Sequence, residues 1–212
     1  MVRIHLSQLK MSRVGESLAA LDHIPAMQRR RLSSIAKLAL NSVIECLQNQ
    51  KVDYIVWCSQ YGDENKTHKI LEDVLQDVTP SPTQFSTSVH NAIAGLYSIF
   101  CQDSTPSTSL CASWSEACAE AYAYLKVHAP NGKALVVYYD EPLPEIYIEH
   151  QNFDGFALAI MLDLSSSNLM LDIEKIQNTE HKYQEALDFY QYWSDDSVSD
   201  LSLRHDYAWQ KC

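Results

Sequence analysis

The sequence predicts an α/β fold, with helices layered on a sheet, from three observations. Short apolar runs of strand length alternate with segments of helical period, in the order βαβ–α–βα–β–β. The 212 residues are 46% hydrophobic, enough to bury the core of one large domain. Five glycines and seven prolines, without any internal repeat, exclude a collagen-like or linker-like chain.

Residues 2–6, VRIHL, alternate and read as a short strand. A helix is predicted over 26–49, where Leu32, Ile35, Ala36, Leu38, Ala39, Val43, Ile44 and Leu47 recur at helical spacing after Pro25. VDYIVWCSQ (52–60) is a continuous apolar run, the pattern of a strand buried on both faces. Gly62-Asp63 turns the chain into a helix over 66–77, and a proline-serine loop then leads to a helix over 89–101. SLCA (109–112) is a short strand, and the alanine-rich 113–129 is a helix with Ser113 or Ser115 as its N-cap. KALVVYYD (133–140) and GFALAIMLDL (155–164) are strong strands. After Ser165-Ser166-Ser167 the chain turns acidic and rich in Tyr and Trp. Residues 168–212 read as an extension packed partly on the 1–167 domain, with a helix over 179–193 and with Trp193, Tyr207 and Trp209 as ordering side chains.

Net charge is −11 and unevenly spread: residues 1–40 carry +5, 41–139 carry −5, 140–171 carry −6 and 172–212 carry −5. So acidic a body argues against nucleic acid, whose binding rests on neutralising phosphates, and against an anionic membrane surface. No apolar run approaches the roughly 20 residues that span a bilayer. The N-terminus has no uninterrupted apolar core of a secretion signal, so a soluble cytoplasmic protein is expected. The six cysteines form no C-x-x-C pair and the eight histidines show no metal-ligand spacing. Gly-rich phosphate loops and G-x-S-x-G are also absent, so neither metal nor cofactor is expected.

One stretch stands apart. SPTQFSTSVHNAIAG (81–95) is polar and then abruptly apolar, with His90 and Asn91 at a helix start and Gly95 one turn in. A glycine inside a helix costs about 1 kcal/mol against alanine, which a close backbone approach at Gly95 would explain. His90 and Asn91 either satisfy buried backbone groups at the helix start, or His90 pairs with Cys111 as a catalytic dyad.

PAMQRRRLSSIAKLAL (25–40), WCSQYGDENKTHKIL (57–71) and SPTQFSTSVHNAIAGLYSI (81–99) together resemble the β-ketoacyl synthase-like N-terminal domain family. Its members look like the front half of a ketosynthase, are often described as ketosynthase-like or chain-length-factor-like, and accompany bacterial fatty-acid, polyketide or aryl-polyene gene sets. The resemblance covers roughly residues 1–165, and Ser88, His90, Asn91, Gly95 and Ser98 are its motif positions. It implies half of a thiolase-type fold, a mixed five-stranded sheet with helices on both faces, followed here by the C-terminal helical extension. In ketosynthases the nucleophilic cysteine sits at the tip of a helix after a short strand. Counting from Asn91 through Gly95, Ser98, Pro106 and Ser109 places that position at Trp114, which has no nucleophile. Cys111 lies three residues early and reads as a core cysteine. The two catalytic histidines come from the back half, in H-G-T- and G-H-like contexts, and neither motif occurs in the chain.

The resemblance thus implies a non-catalytic ketosynthase-like subunit, self-associating or paired with a condensing enzyme. A lone half would leave an apolar helical face for the 168–212 extension or a second chain to cover. Arg29, Arg30 and Arg31 are either a carrier-protein docking site or a solvated helix start. The alternative is a small acyl-thioester hydrolase or acyltransferase using His90 with Cys111 or Ser113, and a third reading is an assembly factor without acyl contact.

Overall fold

The structure is a computed structural model and describes residues 1–147, 151, 153–176, 180–195 and 209–212. Its centre is formed by the two strongest apolar runs, β4 (Lys133–Asp140) and β5 (Phe156–Asp163), paired antiparallel. β2 (Tyr54–Cys58) pairs parallel with β4 on one side and with β3 (Ser107–Leu110) on the other. β1 (Val2–Arg13) pairs antiparallel with β5, then with β6 (Leu169–Leu171), and β6 with β7 (Trp209–Lys211). The strand order is β3-β2-β4-β5-β1-β6-β7.

Alternate residues of the central strands feed two separate cores, which is why the strands read as unbroken apolar runs. Val56, Val136, Tyr138, Phe156, Leu158 and Ile160 face α6 (Trp114–His128) and α7 (Lys182–Ser194). Trp57, Leu135, Val137, Tyr139, Ala157 and Ala159 face α2 (Ser34–Leu47) and α5 (Ala92–Cys101). A sheet covered by helices on both faces is thus what the sequence predicts.

Several elements differ from expectation. The sheet has seven strands rather than five, because β6 and β7, both from the 168–212 segment, join it. Each is three residues long, too short to show a period of two. β1 runs on to Arg13 through a register shift between Leu6 and Gln8, beyond which its half-buried residues hide the alternation. The helix predicted over 26–49 is broken into α1 (Ala26–Arg29) and α2. Ser33 causes the break: its hydroxyl accepts from the Ala36 N–H and restarts the helix as an N-cap. α3 spans Glu64–Leu75, and the loop expected before α5 contains a one-turn helix, α4 (Pro82–Ser86), closed by a Ser81–Gln84 capping box. α5 begins at Ala92 rather than residue 89. Tyr207 and Thr179, named above for the extension, lie outside the described residues.

Gly95 corrects another expectation. It lies on the exposed side of α5, and a Cβ built there meets nothing within 4 Å, so no close backbone approach requires it. Gly62 differs, with φ +71° in the turn after β2, a conformation that side chains resist. Gly95→Ala is therefore expected to raise the unfolding free energy by about 1 kcal/mol, read from urea denaturation. Gly62→Ala is expected to lower it.

Candidate functional site at the start of helix α6

The turn between β3 and α6 brings Trp114, the residue singled out by counting, to the first position of a helix. Ser113 caps that helix: its hydroxyl accepts from the Glu116 N–H at 3.3 Å, and the Glu116 carboxylate accepts from the Ser113 N–H at 2.6 Å. Trp114 follows, fully buried, with its ring 5.1 Å from that of Phe189 on α7. Among the described residues its indole N–H has no hydrogen-bond partner. Among the described residues no thiol occupies the first turn of α6.

Helix starts leave four backbone N–H groups to be satisfied, and here the extension supplies a partner. The Glu185 carboxylate, on α7, accepts from the Ser115 N–H at 3.2 Å and, in a short hydrogen bond, from the Ser115 hydroxyl. The Trp209 indole N–H, on β7, donates to the Ser115 hydroxyl oxygen at 3.0 Å. Trp209 is fully buried and meets Phe189 edge-on at 4.8 Å. Burial raises the Glu185 carboxyl above the usual glutamate range, and the bonds from Ser115 pull it partly back. The start of α6 is therefore closed by Trp114, Phe189, Glu185 and Trp209.

A second buried carboxylate organises the neighbouring loop. Asp140, at the end of β4, accepts from the Ser59 hydroxyl at 2.7 Å and from the backbone N–H groups of Gln60 and Tyr61 at 2.9 and 3.1 Å. Burial again raises its carboxyl, opposed by those bonds. The gathered loop then holds three other parts of the chain. His90 Nε2 donates to the Ser59 carbonyl at 3.2 Å, and the Cys111 thiol donates to the Gln60 carbonyl at 3.2 Å. The Gln60 amide bonds the Lys182 N–H and the Glu180 carbonyl at the entry to α7.

Placed on this geometry, the sequence candidates scatter. His90 and Cys111 touch adjacent carbonyls, but no hydrogen bond joins them; Cys111 is exposed rather than in the core, the β3 run ending one residue before it. Asn91 precedes α5 without a side-chain cap, Ser88 donates to the Phe85 carbonyl, and Ser98 donates to the Asp103 carbonyl. Arg29 pairs with Asp22, while Arg30 and Arg31 are exposed. Arg29, Arg30 and Lys37 line a cavity of about 310 Å³ floored by Leu18 and Leu21. A larger cavity of about 860 Å³ lies at the other end of the sheet, among residues such as Leu47, Phe100 and Pro106, apart from the α6 start. Among the described residues no group of three His, Cys, Asp or Glu side chains is arranged to hold a metal, and no helix is long and apolar enough to cross a membrane.

Sequence reasoning missed Glu185 and Asp140, and named Trp209 only as a side chain that orders the extension. Glu185 carried one signal, an acid on a helix whose neighbours Ala186 and Phe189 face inward. Because its carboxyl is raised in the folded state, the native protein binds a proton that the unfolded chain releases. Its contribution to stability is thus complete below the unfolded value and is lost as pH rises through the folded one. Glu185→Gln is expected to flatten the fall in unfolding free energy as pH rises above the usual glutamate range, with Asp140 leaving a residual slope of the same sign. Trp209→Ala is expected to cost about 3–5 kcal/mol through the cavity it opens, read from denaturant unfolding.

No curated protein matches the chain. A chain from the complex of the ketosynthase ApeO with its chain length factor ApeC, from Xenorhabdus doucetiae, aligns with a TM-score of 0.76 at 24% identity, over 91% of this chain and 92% of that one. A chain of the ishigamide ketosynthase/chain length factor aligns with a TM-score of 0.60 at 9% identity, over 93% and 74%. A chain from a type II polyketide synthase acyl-carrier protein in complex with its ketosynthase aligns with a TM-score of 0.55 at 10% identity, over 77% and 63%. These likenesses show the shared thiolase-type fold. The family model described as the β-ketoacyl synthase N-terminal domain matches residues 5–210, and the chain belongs to that family.

Proposed function

We propose that this chain is a non-catalytic, chain-length-factor-like subunit that pairs with a condensing enzyme in bacterial fatty-acid, polyketide or aryl-polyene synthesis. One observation carries the reading: the α6 start, where counting from the resemblance puts the nucleophile position at Trp114, offers no thiol and is closed by Glu185 and Trp209. Thioester chemistry needs a nucleophile that substrate can reach and donors aimed at the developing oxyanion. Here the Ser115 N–H at that helix start is already committed to a carboxylate of the chain itself. The near-equal coverage of this chain and of one from a ketosynthase and chain length factor complex supports the same reading.

The apolar face of α6 that would need a cover is covered by α7, through Phe189, Ala186 and Tyr192. A partner is therefore met elsewhere on the surface. For an acyl carrier protein, whose recognition surface is acidic, the exposed Arg30 and Arg31 beside the cavity lined by Arg29 and Lys37 are the cationic feature of a strongly acidic chain.

Purified with its cognate ketosynthase, the chain is expected to elute as one hetero-complex by size exclusion with light scattering; separate species would overturn the pairing. Alone, with acyl and malonyl thioesters, it is expected to give no condensation product, and Trp114→Cys is expected to remain inactive. Labelling of Cys111 by an acyl-thioester probe, lost in His90→Ala, would instead favour the hydrolase or acyltransferase reading. Reversal of Arg29, Arg30 and Arg31 to Glu is expected to weaken carrier-protein binding about tenfold or more, roughly 1.4 kcal/mol.

A further inference from the structure

Residues 64–91, the stretch holding α3 and α4, contain no buried residue at all. α2, α5, α6 and α7 each sink a face into one of the two cores, whereas α3 and α4 have no buried side chain. Yet α3 carries an apolar stripe. Leu71, Val74 and Leu75, followed by Val78 just past its end, fall at i, i+3, i+4 and i+7, the spacing of a helix face made for burial. All four face solvent, at 50%, 52%, 86% and 50% exposure. Phe85 on α4, which packs beside α3, is 65% exposed, and Val89 is 44% exposed.

The charges around this stripe are one-sided. The stretch holds four acids, Glu64, Glu72, Asp73 and Asp77, against two lysines, Lys66 and Lys69. Lys66 is turned inward to Asp63 at 3.0 Å, and Lys69 lies between Glu72 and Asp73. The rim of the patch is thus net acidic, on a chain of net charge −11. A second copy would bring the same acidic rim and the same net charge, and like charges across an interface oppose association.

We infer that the α3 stripe, with Phe85 and Val89, is a protein-docking surface, and that its occupant is a condensing-enzyme subunit presenting an apolar patch with a basic rim. This rests on the subunit reading above and adds the surface by which that subunit is met. The α6 face, closed by α7, is not available for the purpose.

Leu71→Glu with Leu75→Glu tests it, since both side chains are exposed and touch neither core. The expected result is a weakening of ketosynthase binding by about 100-fold or more, with the thermal melt of the free variant unchanged. Leu71→Ala with Leu75→Ala is expected to fall between. Amides of 64–91 are expected to gain protection from hydrogen exchange in the wild-type complex, and association is expected to slow as salt is raised. If the wild type binds the ketosynthase and the Glu variant binds it equally well, the surface is wrong while the subunit reading stands. If the wild type binds no ketosynthase, both fail. A homodimer that the Glu variant abolishes would overturn the assigned occupant.

Discussion

The arrangement of this molecule hangs on a carboxylate held out of water. Asp140 ends β4, buried from Ala134 on, and accepts three hydrogen bonds from the chain just after β2. A buried charge is tolerable only when its lone pairs are satisfied, so the Ser59–Gly62 turn must wrap around it. Gly62 supplies the positive φ that the turn needs, with His90 packed beside it. Once fixed, the loop presents its carbonyls and the Gln60 side chain outward, and the starts of α5 and α7 and the end of β3 are located by them. One desolvated group thereby sets the relative position of elements from four parts of the sequence.

A second buried acid has the complementary task nearby, at the start of α6. Glu185 is carried by the extension and satisfies the backbone at the start of α6, with the Ser115 hydroxyl as the bridge to Trp209. The polar groups of that helix start are spent on the chain itself. The extension is therefore structural in a specific sense, since it satisfies the donors and fills the apolar volume that the fold offers at this point. That the same segment adds β6 and β7 to the sheet explains why the family match runs to residue 210.

Much of the fold was legible because the responsible signals are local. β2, β4 and β5 are long enough and apolar enough that no competing reading exists, and the Ser113 cap of α6 follows from one residue. The parts that escaped depend on partners far along the chain. β6 is a strand only because it finds β1 and β7, and β7 only because it finds β6, and a three-residue segment carries no period of its own. The long second half of β1 is half-buried and polar, so its pairing with β5 overrides an unremarkable sequence. Among the residues at the α6 start, Trp114 could be singled out from the sequence. Glu185 and Asp140 could not, because a buried acid is recognisable only once the donors that surround it are known.

The position of β1 in the sheet has a consequence for how the protein comes to be made. β1 lies between β5 and β6, whose residues are encoded about 150 positions after it. At typical elongation rates it waits roughly 10–30 s for its neighbours, with Val2, Ile4 and Leu6 unpaired in the meantime. Such late, non-local closure is the slow kind of folding. Through that interval the nascent chain offers an unprotected strand edge, which makes chaperone dependence and yield in heterologous expression properties of this topology rather than of the finished protein's stability.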